Sequence, residues 1–209
     1  EAEARAAGAE YLKILDRIAR EKLDANVSVK LTAMGLDVSE ELCVSIMGDV
    51  LERARKYGSF VRLDMEASNY TQKTLELFEN RLYPEFRGTV GVVLQSYLYR
   101  TQADVEHMNA LGARVRICKG AYKEPASVAF PEKRDVDANY ITCMQSLILH
   151  GTYPGIATHD EVIIEKVKQF ARENDIKPDR FEFQMLYGVR RDLQEKIVRE
   201  GWRMRCYVP

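Results

Sequence analysis

Polar side chains interrupt several short apolar runs of the sequence in a regular way. The residues concerned are Lys30, Asp64, Gln95, Arg116 and Arg205. A charge buried in a strand costs free energy unless it is paired or takes part in chemistry. Alternate side chains of a strand share one surface. The pattern therefore predicts a ring of polar groups at the carboxyl ends of parallel strands, where the active sites of barrel enzymes lie.

Two further arginines and two lysines admit other interpretations. Arg62 and Arg114 lie deeper in their strands, and we expect them to form internal salt bridges that hold the strands together. A desolvated lysine inside a barrel can form a Schiff base with a carbonyl substrate. The residues alone therefore leave open a lyase that uses Lys30 or Lys119.

A metal site is a weaker interpretation of the same strand ends. Residues 64–66 and the pair His159 and Asp160 place carboxylates and an imidazole after strands, and such groups bind metals. No His-x-His or His-Glu-x-x-His spacing supports it, so we predict no metal. His107 and His150 are expected in helices as surface or packing residues, and residues 190–191 as a solvated helix start.

The elements that must position these groups alternate between short β-rich runs and amphipathic helical runs. The predicted strands are 27–31, 60–64, 90–95, 115–119, 155–158, 181–184 and 204–208. Helices are predicted at the start of the chain, after a capping Asp37 up to Gly58, from Ile163, and from Leu193 to Gly201. The irregular stretch 122–135 is long enough for a functional loop.

The step from strand to strand is about 30 residues, the size of a βαβ unit. It repeats without a linker, so we predict a single domain over residues 1–209. The fold class is α/β, an incomplete (β/α)₈ barrel of the TIM type with about seven strands. An open doubly wound sheet is the alternative, but no glycine-rich phosphate turn supports it.

Composition excludes several classes of protein. The net charge of −1 and the absence of a basic cluster argue against a nucleic-acid partner. No apolar run reaches the ~18 residues of a membrane span. Cys43, Cys118, Cys143 and Cys206 form no Cys-x-x-Cys pair. We therefore expect buried, reduced thiols and a cytoplasmic location.

Seven segments, in order along the chain, match one family. They are Val-Ser-Val-Lys-Leu-Thr at 27–32, Arg-Leu-Asp-Met-Glu at 62–66, Val-Leu-Gln-Ser-Tyr-Leu-Tyr-Arg at 93–100, Val-Arg-Ile-Cys-Lys-Gly-Ala-Tyr at 115–122, Ala-Thr-His-Asp at 157–160, Phe-Glu-Phe-Gln-Met-Leu-Tyr-Gly at 181–188 and Arg-Cys-Tyr-Val-Pro at 205–209. The chain resembles proline dehydrogenase from about Tyr11 to its end, in the stand-alone bacterial form.

The resemblance implies a (β/α)₈ barrel that holds FAD and oxidises L-proline to Δ¹-pyrroline-5-carboxylate. Hydride would pass from proline C5 to flavin N5, and a quinone would reoxidise the flavin. The family also implies a functional link to pyrroline-5-carboxylate dehydrogenase, and at most peripheral contact with the inner face of the membrane.

By position, the resemblance implies catalytic roles for Asp64 and Arg116, with Arg116 beside flavin N5. Tyr207 would belong to the substrate pocket and be important for activity. Lys30 would contact the carboxylate side of that pocket, and Leu186 would form an apolar wall.

The resemblance also implies a set of residues that bind FAD: Met65, Gln95, Arg116, Lys119, Gly120, Ala121, Thr158 and His159. Gln95 would hydrogen-bond the isoalloxazine, and residues 119–121 would hold the ribityl and pyrophosphate part. Thr158 and His159 would reach the pyrophosphate or adenine end. A glycine at position 120 would let the backbone approach the phosphates closely.

Two family features have no match here, an earlier strand and a final helix with an Arg-Arg pair that clamps the proline carboxylate. Arg190 and Arg191 follow the sixth strand and are not that pair. We therefore expect a chain cut short at both ends that binds proline poorly and folds poorly alone. The remaining alternative is a non-catalytic barrel fragment.

Overall fold

The computed structural model describes residues 1–208, which form two compact units. The first unit covers residues 1–93, and the second begins at residue 94. A strand, β3, runs across the junction. Its first residues, from Val90, lie in the first unit, and its last residues, Leu94 and Gln95, lie in the second.

Helices and strands alternate in the first unit. Its elements are α1 (Ala2–Glu21), β1 (Val27–Val29), α2 (Glu40–Lys56), β2 (Val61–Leu63), α3 (Ser68–Leu77), a π-helical turn (Phe78–Leu82), α4 (Tyr83–Phe86) and β3 (Val90–Gln95). The strands pair in parallel and in chain order, with Val27 beside Val61 and Val61 beside Val90. Their carboxyl ends therefore point the same way.

The second unit continues the alternation. Its elements are α5 (Thr101–Leu111), β4 (Arg114–Cys118), α6 (Lys133–His150), β5 (Gly155–Ala157), α7 (Glu161–Glu173), β6 (Glu182–Leu186), α8 (Arg191–Arg199) and β7 (Met204–Tyr207). Strands β4 to β7 also pair in parallel and in chain order. The end of β3 runs beside β4, since the Ser96 N–H donates to the Cys118 carbonyl at 2.8 Å.

Local signals in the sequence explain where α2 begins and ends. The Ser39 hydroxyl accepts a hydrogen bond from the Leu42 N–H at 3.2 Å, which makes Ser39 the N-cap. The prediction of a cap at Asp37 is therefore wrong by two residues. The end at Gly58 is confirmed, because Gly58 adopts a positive φ of 63° just beyond the helix.

The other predicted elements agree with the structure to within a few residues. The leading helix is α1, and His107 and His150 lie in α5 and α6 as expected. The sixth strand differs most, since β6 runs on to Leu186 rather than ending at Gln184. The irregular stretch ends at residue 132, because α6 already begins at Lys133.

The cysteines are only partly as expected. All four are free, and Cys43 and Cys143 are buried, but Cys118 is half-buried and Cys206 is exposed. Cys206 lies on β7 outside the apolar core, with its sulfur 3.3 Å from the Gln194 side-chain oxygen. The expectation that every thiol is buried was therefore wrong. In residues 1–208 no helix has both the length and the apolar character to cross a membrane.

Candidate active site

The first unit places Lys30 and Asp64 directly after neighbouring strands, β1 and β2. The Asp64 N–H donates to the Val29 carbonyl at 2.9 Å, so the two strand ends are tied together. The Asp64 side chain is half-buried, Met65 is buried, and Lys30 is exposed. The structure therefore brings a lysine and an aspartate side chain to one edge of this unit, as the sequence predicts.

Tyr11 is a neighbour of this edge that sequence reasoning missed. It lies on α1, and its hydroxyl donates to the Ser28 carbonyl at 2.8 Å. Burial raises the pKa of the Tyr11 phenol, and the Asp64 carboxylate raises it further. The phenol is thus a neutral donor close to Asp64. Its position on an amphipathic helix gave no signal beyond packing.

A second tie holds the two strand ends, through Glu66. Its carboxylate accepts from the Thr32 hydroxyl at 2.6 Å and from the Thr32 N–H at 3.2 Å. Both oxygens of Glu66 are therefore engaged within the protein. The two contacts with Thr32 give Glu66 a structural role in joining the ends of β1 and β2.

Arg116 is the central cation of the second unit. It lies in β4 with 8% of its surface exposed, and its Nε donates to the Gln184 side-chain oxygen at 2.6 Å. Its guanidinium carbon lies 5.0 Å from the centre of the Tyr207 ring, a distance suited to a cation–π contact. Leu186 pairs with Tyr207 in the ladder of β6 and β7. Arg116, Leu186 and Tyr207 are therefore assembled at one edge.

Arg205 does not belong to that edge, contrary to the prediction of the polar ring. Its Nε donates to both oxygens of Glu182, at 2.8 and 3.1 Å. Glu182 is the first residue of β6 and is buried, so this ion pair lies at the start of the strand. In the parallel register Gln184, and not Glu182, lies beside Arg205. The long arginine side chain extends toward the start of β6 because the buried carboxylate of Glu182 lies there.

The two deeper arginines stack on aromatic rings. The guanidinium carbon of Arg62 lies 4.8 Å from the Phe60 ring centre, and that of Arg114 lies 4.8 Å from the Tyr153 ring centre. Burial lowers the pKa of Arg114. The contact shown for each arginine is therefore ring stacking, whereas the internal salt bridges expected from the sequence stay a prediction.

Lys119 follows β4 and is clasped by two carboxylates. Its Nζ lies 2.5 Å from Asp137 and 2.9 Å from Asp160. Burial alone would raise the pKa of each carboxyl, but the hydrogen bonds and charges of Lys119 and Lys133, with the Ile163 N–H at Asp160, together outweigh it and lower both. Since Lys30 is exposed to water, neither lysine has the desolvated setting of a Schiff-base residue.

Gly120 has a structural reason for being glycine. Its φ is +111°, and a Cβ there would lie 2.6 Å from the ring of Tyr97. A side chain at this position would be strained and would collide with the ring. The sequence predicts that the backbone at Gly120 comes close to a phosphate; in the structure it comes close to the Tyr97 ring. Ala121 follows it as an exposed residue.

Thr158 and His159 follow β5, and both already have partners. The Thr158 hydroxyl accepts from the Asp160 N–H at 3.1 Å. His159 Nε2 accepts from the Leu186 N–H at 2.9 Å, which ties the loop after β5 to the end of β6. Burial lowers the pKa of His159, and the charge of Arg190 lowers it further. The neutral imidazole is the form that this hydrogen bond requires.

Gln95 ends β3 and is buried. Its backbone carbonyl accepts from the Thr101 hydroxyl at 2.5 Å, which fixes the turn into α5.

Arg190 caps α8 and pairs with Glu161 and Asp192 at the surface, as expected for a solvated helix start. Within residues 1–208, no three His, Cys, Asp or Glu side chains converge on a possible metal.

Sequence comparison connects the whole chain to one family. A family model described as proline dehydrogenase matches residues 1–209. The chain is 43% identical over 200 residues to proline dehydrogenase 2 of Bacillus subtilis (strain 168), covering 96% of this chain and 65% of that protein. It is 42% identical over 204 residues to proline dehydrogenase of Deinococcus radiodurans, covering 96% of this chain and 66% of that protein.

A solved structure shares the fold. The crystal structure of proline utilization A from Bdellovibrio bacteriovorus, inactivated by N-propargylglycine, matches with a TM-score of 0.90 and 29% identity. That match covers 100% of this chain and 27% of the other. The predicted fold class, an α/β chain with the parallel strands of part of a (β/α)₈ barrel, is confirmed. The chain spans 65% of the length of the Bacillus subtilis relative.

Proposed function

We propose, from the fact that this chain belongs to the proline dehydrogenase family, that it carries catalytic and flavin-binding residues of an enzyme that oxidises L-proline to Δ¹-pyrroline-5-carboxylate. When bound, FAD would take the hydride from proline C5 and pass the electrons to a quinone. The proposal rests on the family and on the chemistry of the residues at the two strand edges.

The residues of the second unit suit such a cofactor. Arg116 supplies a buried positive charge whose direction is set by Gln184, and reduced flavin carries negative charge that a fixed cation stabilises. Gln95 is a buried amide at the end of the neighbouring strand, suited to hydrogen-bond a polar ring. Tyr207 stacks against the guanidinium and would shield it from water.

Two carboxylates beside Lys119 affect how it could bind a phosphate. The ammonium is held by Asp137 and Asp160, and both carboxylates would repel a pyrophosphate. Lys119 would therefore have to share its charge with the ligand. Gly120, Ala121, Thr158 and His159 would contribute mainly backbone and neutral groups, since the His159 imidazole is favoured in its neutral form.

The residues of the first unit suit the substrate. Lys30 is an exposed cation that can bind a carboxylate. Asp64 is a half-buried carboxylate that can pair with a substrate ammonium or take its proton, and Tyr11 holds a neutral phenol near it. Met65 would offer an apolar surface to the cofactor, and in the second unit Leu186 would offer one to the substrate.

The observation that carries the proposal is the buried Arg116 held between Gln184 and the Tyr207 ring. The test is the visible spectrum of the purified full-length protein before and after anaerobic L-proline. A flavin band that bleaches with L-proline, and not with D-proline, is the expected result. An Arg116→Met variant should slow the bleaching by about 10²-fold or more, while Arg180→Met, an exposed control, should not. A protein without flavin, or a flavin indifferent to proline, would reject the proposal.

The remaining partners follow from the family alone. A quinone acceptor and a link to pyrroline-5-carboxylate dehydrogenase are part of the proposed reaction. A cytoplasmic location with peripheral membrane contact would bring the enzyme to a membrane quinone. Reoxidation of the reduced protein by a soluble quinone analogue would support the first of these.

A further inference from the structure

A continuous chain of hydrogen bonds starts at Arg116 and crosses three strands of the second unit. Arg116 Nε donates to Gln184 Oε1 at 2.6 Å, and Gln184 Nε2 donates to Glu182 Oε1 at 2.7 Å. Glu182 accepts in turn from Arg205 Nε at 2.8 Å and from the Tyr153 hydroxyl at 3.1 Å. Exposed fractions of 8% for Arg116, 3% for Gln184 and 4% for Glu182 show that the central part of this chain is buried.

The chemistry of the two ends leaves the Gln184 amide a single orientation. A carboxylate only accepts hydrogen bonds and a guanidinium only donates them. Glu182 therefore requires the NH₂ group of Gln184, and Arg116 requires its oxygen. The negative charge of Glu182, paired with Arg205 through both carboxylate oxygens, thus fixes the amide dipole that points at Arg116.

Gly155 makes room for this amide. It lies on β5, between Arg116 of β4 and Glu182 of β6 in the ladder. A Cβ at Gly155 would lie 2.7 Å from Gln184 Nε2 and 3.0 Å from its side-chain carbonyl carbon. Gly155 is not one of the glycines with a positive φ, so its backbone conformation would accept alanine. Glycine is therefore needed at position 155 to leave space for the Gln184 amide, and not to allow an unusual backbone conformation.

We propose that Gln184 is a positioning residue that holds the Arg116 guanidinium in one orientation, with Glu182 fixing the amide and Gly155 providing its space. The inference deepens the proposed function, because it says what orients the cation assigned to the flavin. The guanidinium has many rotamers, and locking it before the ligand arrives removes an ordering cost. Gln184 itself acts only through Arg116.

Two variants of the full-length protein test the inference from different directions. Gln184→Met keeps the volume but removes both hydrogen bonds. Gly155→Ala leaves every polar group in place and displaces the amide by contact alone. The matched controls are Gln169→Met, at an exposed glutamine of α7, and Gly48→Ala, where an added Cβ meets nothing within 4 Å.

The first readout needs no flavin. In protein labelled with ¹⁵N-arginine, the Arg116 Nε–H signal, identified by its loss in Arg116→Lys, reports the hydrogen bond to Gln184. We expect its exchange with water to speed up about tenfold or more in both variants, as for the loss of a buried hydrogen bond, and to stay unchanged in both controls. Unchanged exchange in Gly155→Ala and Gln184→Met would overturn the proposal.

The second readout is the midpoint potential of the bound flavin. A guanidinium that loses its orientation stabilises the reduced flavin less, so the potential should fall in both variants and in neither control. A variant that merely lost stability would keep its potential. Equal potentials together with faster Nε–H exchange would reject Gln184 as a positioning residue. If the wild type binds no flavin, the proposed function fails, and the exchange readout still decides whether Gln184 orients Arg116. If Gln184→Met does not fold, Gly155→Ala decides alone.

Discussion

His159 shows how one hydrogen bond can reassign a residue. The sequence places it after a strand and suggests a ligand contact, but its Nε2 already accepts from the Leu186 N–H. The proton of the neutral ring must then sit on Nδ1. Because the neutral form is needed and burial disfavours the charged one, His159 serves first to hold the end of β6.

We predict that His159 titrates below 6.5 and that acid weakens this contact. A folded pKa below the unfolded value means that the stabilisation is present above about 6.5 and is lost as pH falls through the lowered pKa. The ring C–H signals of His159 in a pH titration measure the value, and a lower protection factor of the Leu186 amide in acid, taken relative to its intrinsic exchange rate at each pH, checks the consequence. His159→Gln, whose amide oxygen can still accept from Leu186, should lose this pH dependence. A His159 pKa above 6.5 would contradict the prediction.

At the start of α7, Asp160 both caps the helix and pairs with Lys119. Asp160 caps the helix by accepting from the Val162 N–H at 3.1 Å and the Ile163 N–H at 3.4 Å, while its other oxygen holds Lys119. Ile163, Ile164, Val167 and Ala171 then bury one face of α7. The cap therefore sets both the first turn of the helix and the position of Lys119.

We predict that Asp160→Ala lowers the free energy of unfolding by about 1 kcal/mol, the usual cost of a lost cap. For a chain of this size, the melting temperature should fall by about 2–4 °C. Asp160→Ser keeps a capping oxygen but removes the charge, so it separates the cap from the tie to Lys119. Asp179→Ala, at an exposed site before β6, is the control. Equal losses for the serine and alanine variants would show that the tie, and not the cap, is what matters.

The molecule as a whole is made of two compact units that share one strand. Each contains a buried thiol, Cys43 in the first and Cys143 in the second. Burial raises the pKa of each to about 12, with smaller contributions from nearby carboxylates. Neither thiol should react unless its own unit opens, since the thiolate is the reactive form.

We predict that Cys43 and Cys143 become labelled at the same denaturant concentration. Residues of both units belong to the single continuous strand β3, so we expect the two units to unfold together. Pulsed alkylation read by peptide mass spectrometry measures each thiol separately. The exposed Cys206 is the internal control and should be labelled without denaturant. Labelling of Cys43 while Cys143 stays protected would show that the units unfold independently.

The sequence alone determined the strands, the family and the strand-end groups other than Arg205. Short Val- and Ile-rich runs predict β-strands because local sterics and burial act within a few residues, and the observed bounds moved by two residues at most at any strand end. The side chains at the ends of β1, β2 and β4 were found for the same reason. The cap of α2 was missed because Asp37 and Ser39 are both capable N-caps, and propensity does not choose between them.

Only the tertiary structure decided the partners of those side chains. Glu182 sits between two phenylalanines, and its alternation with Gln184 was a signal that it faces inward. Its pairing with Arg205, 23 residues away, and that of Gln184 with Arg116, 68 residues away, depend on strand register and side-chain reach. Such distances are set when strands distant along the chain pack side by side. The sequence pattern by itself therefore does not predict which of these side chains pair with one another.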